Sequence, residues 1–137
     1  MADYTFVDSI SGKTFRLRDF ASIFTREATL PYDTNVWASQ ATVNAYAVLG
    51  TPWSKQHLKS GTIVIRNTGA NGAHVKVDAS FDGVNYFTVI LAETVVGAGT
   101  NLVVSLTTYY PYVQIQIKAQ VAASQTTVEA HAGAIQT

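Results

Sequence analysis

Tyr112-Val113-Gln114-Ile115-Gln116-Ile117-Lys118-Ala119-Gln120-Val121 alternates polar and apolar side chains without a break. A period of two places Val113, Ile115, Ile117, Ala119 and Val121 on one face of a half-buried strand. His74-Val75-Lys76-Val77-Asp78-Ala79-Ser80-Phe81 has the same period. Working outward from these two runs, strands are expected near residues 61–67, 73–81, 86–94, 101–108, 112–121 and 126–134. The links between them are rich in Gly, Asn and Asp: Asn67 to Gly72, Asp82-Gly83-Val84-Asn85 and Val96 to Gly99. Short strands at even spacing with such turns predict an all-β chain, an antiparallel β-sandwich or jelly roll.

Upstream the texture changes. Lys13 to Arg18 alternates like a strand, and Pro31 restricts Leu30 to extended geometry. Residues 35–49 fit either a strand or a helix, and the β-context favours a strand. An extended N-terminal arm over 1–35 and a sandwich domain over 36–137 are therefore expected. The first region carries scattered aromatic and Arg residues on weakly patterned chain: Tyr4, Phe6, Phe15, Arg16, Arg18, Phe20, Phe24, Trp37 and Trp53. These side chains either cap the ends of a sandwich or anchor the chain on a partner, and such residue types are favoured anchors in interfaces.

The chain has 137 residues, no cysteine, and nine Lys+Arg against nine Asp+Glu. Charged residues make up 13%, about half the usual share of ~25%. Thr, Ser, Gln and Asn take their place, so the outer surface is polar but uncharged. Such a surface suits contact with partners, because charges resist burial unless paired. Zero net charge gives no field to attract a polyanion, which argues against a nucleic-acid partner. Without cysteine there is no disulfide, zinc–thiolate site or thiol nucleophile. The N-terminus shows no signal-peptide pattern, and no apolar run reaches the length of a membrane span. Synthesis in the cytoplasm is expected.

Chemistry-bearing motifs are sparse. His57, His74 and His131 lack the local spacing of a metal pair, and His74 and His131 are expected to face solvent. No nucleophile elbow or phosphate-binding loop is present. Asp78 and Asp82 are expected to flank a turn as ordinary solvated carboxylates. Neither catalytic residues, a metal site nor a cofactor is expected.

Ser80-Phe81-Asp82-Gly83-Val84-Asn85-Tyr86 resembles a hairpin of discoidin-like β-sandwich modules. Tyr109-Tyr110-Pro111-Tyr112-Val113-Gln114-Ile115 resembles a late strand of the same modules, without its two arginines. That resemblance implies a carbohydrate- or surface-binding module, with Tyr109, Tyr110 and Tyr112 as a stacking platform. In its general style the whole chain resembles small structural proteins of tailed bacteriophages: head-decoration, head–tail or tail components. This resemblance implies a non-enzymatic virion protein made in the host cytoplasm. It also implies a homo-oligomer, with a trimer favoured, bound to other virion proteins and not to nucleic acid or membrane.

Overall fold

The computed structural model describes residues 5–7, 14–16, 32–55 and 59–136. Eleven strands and no helix occur among them. The chain divides into two compact units, Met1–Leu30 and Pro31–Thr137. In the first, β1 (Thr5–Val7) and β2 (Thr14–Arg16) pair antiparallel, with Phe6 opposite Phe15.

The second unit is a two-sheet sandwich. One sheet contains β3 (Tyr32–Ala41), β6 (Ser60–Asn67), β9 (Asn101–Leu106) and β11 (Thr127–Ile135), in the order β3-β11-β6-β9. The other contains β7 (Ala73–Ser80), β8 (Phe87–Val96) and β10 (Tyr112–Ala119), in the order β10-β7-β8. Two short strands, β4 (Ala47–Val48) and β5 (Trp53–Ser54), both pair with the outer side of β10. All of these pairings are antiparallel. If β4 and β5 are taken as one interrupted strand, the order is that of an eight-stranded jelly roll.

The period-two runs behave as their spacing predicts as far as Ala79 and Ala119, whereas Phe81 and Val121, expected on the same buried face, lie beyond the strand ends and are exposed. Val113, Ile115 and Ile117 of β10 meet Ala79, Val77 and Val75 of β7 in register, and all point inward. Ile63 and Ile65 of β6, with Val128 and Ala130 of β11, close the core from the other sheet. Burying one such branched side chain contributes roughly 1.5–3 kcal/mol.

Three expectations need correction. Residues 35–49 are not one strand: β3 ends at Ala41, and residues 42–46 are irregular. The Thr42 N–H donates to Thr126 O and the Thr42 hydroxyl accepts the Thr126 N–H, continuing the β3–β11 register by one pair. The break comes next, because Val43 O accepts the Ala119 N–H at the end of β10, so the chain leaves one sheet for the other. Second, Trp37 and Trp53, read as partner anchors, are core residues only 2% and 4% exposed. Their rings meet edge to face at 6.0 Å, while their indole N–H groups donate to Thr51 O and Asp33 Oδ2. Third, Asp78 is 2% exposed and lies inside a ladder rather than beside a turn.

Candidate interaction surfaces

Alternation decides what each sheet shows on its outer face. On the four-stranded sheet, residues at odd positions of β6 and even positions of β9 and β11 turn inward, so their neighbours turn out. Register then builds rows across the sheet. Val36, His131, Val64 and Val103 form one row. Thr34, Gly133, Thr62 and Ser105 form the next, and Tyr32, Ile135 and Ser60 follow. Tyr32, Val36 and Val103 are 73%, 63% and 64% exposed. On this face the side chains of Arg66 and Glu129 approach to 4.0 Å. The missing side chain of Gly133 leaves a groove of about 300 Å³, walled by Tyr32, Thr34, Thr62 and Ile135. The arrangement is a low-charge, partly apolar surface with a shallow groove.

The outer face of the other sheet is a polar network. Asp78 accepts hydrogen bonds from the Thr88 hydroxyl at 2.7 Å and from the Gln114 and Gln116 amides at 3.2 and 2.5 Å. Register explains this: Gln114 lies directly opposite Asp78, and Gln116 is two residues further along β10 on the same face. Beside it the Tyr46 ring lies under two ammonium groups, Lys76 at 4.5 Å and Lys118 at 4.7 Å. The Tyr46 hydroxyl donates to Glu93. Burial, reinforced by that bond, raises the phenol pKa above its ordinary value. Conversely, the Tyr46 hydroxyl and then Lys118, at 3.2 Å, hold Glu93 down to about 2. His74 Nδ1 lies 3.1 Å from Glu93 Oε1, near enough for an ion pair when protonated but not aligned as a hydrogen bond. Each carboxylate here is thus engaged by donors. Among the described residues no group of His, Asp and Glu could hold a metal ion.

The β7–β8 hairpin supports the turn reading and corrects the expected ordinary carboxylate. Gly83 has φ +77°, and Asp82 Oδ1 accepts the N–H groups of Val84 and Asn85 at 2.8 Å each. The Asn85 amide and the Ser80 hydroxyl complete the cage. These donors, the Asn85 backbone N–H first, hold the Asp82 carboxyl well below the usual range. Around this turn Phe81, Val84, Phe87 and Val89 are exposed, a patch that the sequence reading missed. Apolar residues flanking an Asp-Gly turn were its only signal.

The three tyrosines of the expected platform have different neighbours. Tyr109, 40% exposed, lies near the Lys55 ammonium, 5.8 Å from its ring centre. Tyr110 packs against the core and meets Phe81 at 5.9 Å, tilted by 54°. Tyr112 lies under Gly83, where an added Cβ would sit 3.3 Å from the ring. Lys55 itself is 1% exposed, and its burial lowers its pKa. Of the other expected anchors, Tyr4, Arg18, Phe20 and Phe24 lie outside the described residues, as does His57. Phe6, Phe15 and Arg16 are described only as members of the β1–β2 ladder.

Comparison with solved structures returns β-rich assemblies. A chain from "Bacillus endospore appendages form a novel family of disulfide-linked pili" superposes with a TM-score of 0.52 at 13% identity, covering 80% of this chain and 90% of that one. A chain from "Structure of infectious bursal disease virus Gx strain" has a TM-score of 0.41 at 15% identity, covering 78% of this chain but 32% of that one. The first likeness agrees with the fold derived above. No curated protein sequence matches. Residues 55–135 match the family described as a domain of unknown function, DUF6385, and the chain belongs to that family.

Proposed function

We propose that this chain is a non-enzymatic structural protein that self-associates. The observation that carries this reading is the outer face of the four-stranded sheet. Tyr32, Val36 and Val103 stand exposed there, with little charge around them. Apolar patches of this kind mark contact surfaces. The pilus-forming chain of similar fold adds support, since its subunits build a polymer. Those pili are disulfide-linked, whereas this chain has no cysteine, so no disulfide joins its copies.

At the finer level we read the protein as a virion component of a tailed bacteriophage, decorating or joining a capsid or tail lattice. Of the expected arm over 1–35, residues 32–35 belong to β3; the part before it would serve as the arm, with Tyr4, Phe6, Phe15, Arg16, Arg18, Phe20 and Phe24 as its anchors. A trimer is the oligomer that this reading favours. The carbohydrate-binding alternative rests on Tyr109, Tyr110 and Tyr112. Their separate packing partners make a shared stacking plane a weaker proposal.

Light scattering on the full chain over a dilution series tests the reading. Masses at multiples of 14.8 kDa that fall on dilution are expected. A strict monomer at every concentration would remove self-association. A glycan array with strong, specific hits would favour the alternative.

A further inference from the structure

Among the described residues β9 ends its sheet, and its backbone polarity can be worked out. Asn67 lies opposite Thr100 by extension of the β6–β9 register, and the Asn67 N–H donates to Thr100 O at 3.0 Å. In an antiparallel ladder all such bonds fall within alternate opposed pairs. Thr100, Leu102, Val104 and Leu106 therefore turn their backbone groups towards β6. Asn101, Val103 and Ser105 turn theirs away from the sheet, and all three residues are exposed.

The remaining edges are guarded. β8 shifts register twice against β7 and carries Glu93, and bulges with charge are how natural sheets blunt an edge. Alongside β3 runs the 42–54 segment, tied down because the Gln40 side chain donates to Val48 O and accepts the Gly50 N–H. β4 and β5 have two residues each. By contrast β9, Asn-Leu-Val-Val-Ser-Leu, has no charge, no proline and no register shift.

We propose that β9 pairs antiparallel with β9 of a second copy, about a two-fold axis through Val103. This rests on the self-association reading and names its contact. The only register that joins the outward-turned groups of two identical strands symmetrically about Val103 sets Val103 against its own counterpart. Asn101 then falls opposite Ser105, and about six backbone hydrogen bonds form. Side chains agree with this register. The two exposed Val103 side chains cover each other, Asn101 and Ser105 can hydrogen-bond, and no like charges are opposed. A second copy suits the strand better than a charged partner, because nothing on β9 rewards charge. Pairing also continues the low-charge outer face across the axis, since Val103 lies in one row with Val64, His131 and Val36.

The full-length Val103→Pro variant tests this. Proline removes only the outward-turned N–H of residue 103, so the internal ladder is kept, and proline is tolerated on edge strands. Near-native circular dichroism with association weakened by about tenfold or more is expected. Val103→Thr, which restores the N–H and the β-branch, should associate like the parent. Hydrogen exchange on the parent gives a second readout. Amides of Asn101, Val103 and Ser105 should be protected at high concentration and released on dilution. Val103→Pro associating as the parent does overturns β9 pairing while self-association survives. A parent that is always monomeric sinks both. Should the proline variant fail to fold, exchange still decides: amides fast at every concentration, or protected at every dilution by the chain's own residues, refute the pairing.

Discussion

At the residue scale, the Asp82 cage illustrates how a turn motif becomes an electrostatic device. Four donors converge on one carboxylate, and they hold its pKa well below the usual value. A depressed folded pKa stabilises above the unfolded carboxylate value, ~3.9, and that stabilisation is lost as pH falls through the folded value. Stability should therefore hold from neutrality down to about pH 5 and decline below about pH 4. Asp82→Ala should flatten part of that acid limb, leaving the share due to Glu93, and should speed amide exchange at Val84 and Asn85. An unchanged acid limb in urea titrations would contradict the cage's role. Gly83 sits in the same turn at φ +77° with the Tyr112 ring beneath it. Gly83→Ala should cost about 1–2 kcal/mol in chemical denaturation, from left-handed strain alone. The turn itself was legible, since Asp-Gly between two alternating runs has one good solution. The depth of the pKa depression was not, because it depends on Ser80 and Asn85 converging in space.

At the element scale, Asn67 shows what holds the end of β6 in place. Its buried amide donates to Asn71 O at 2.7 Å and Val96 O at 2.9 Å. Its oxygen accepts from the Gly69 N–H at 3.1 Å and the Thr126 hydroxyl at 2.7 Å. One side chain thus ties the β6–β7 loop to the end of β8 and the start of β11. Asn67→Ala strands several buried groups at about 1–3 kcal/mol each. We expect a net loss of about 3 kcal/mol by urea unfolding, with partial rescue by Asn67→Asp excluded because the two donated bonds vanish. Gly61 marks the other end of β6. A Cβ there would lie 2.4 Å from Gly133 O and 2.9 Å from Ala134 Cβ, so the β6–β11 pair must spread to admit it. Gly61→Ala should destabilise by about 1–3 kcal/mol, and a neutral result would show that the strands yield easily. Strand positions were readable here because period two survives in β7, β10 and β11. Residues 42–46 were not readable: their fate depends on Ala119 and Thr126, distant in sequence. The burial of Asp78 was equally hidden, since it follows from the β7–β10 register that sets Gln114 against it. Trp37 and Trp53 misled for a related reason. Aromatic residues on weakly patterned chain look available for partners until the topology folds that chain over the core.

At the scale of the molecule, composition and architecture meet in the distribution of charge. Lys118 and Glu93 pair within the polar network of one sheet face, and Lys76 sits over the Tyr46 ring there. Among the described residues the other face carries mainly Thr, Ser, Val and Tyr beside His131 and Ile135, with one wide ion pair, Arg66–Glu129 at 4.0 Å. An exposed pair at that distance contributes little, about 0–1 kcal/mol. Association through this face or through the β9 edge thus gains from apolar burial and backbone bonding rather than from opposite charges. Salt discriminates between these origins, because the screening length shrinks from about 10 Å at 0.1 M to about 3 Å at 1 M. Contact built on charge weakens steeply over that range, while burial of apolar surface does not weaken. Sedimentation of the full chain at about 0.1 M and about 1 M NaCl should therefore give the same or a slightly larger mass at high salt. If the complexes dissociated as salt rose, charged residues would be carrying the contact. The low-charge face could then not be the surface on which copies of this protein meet.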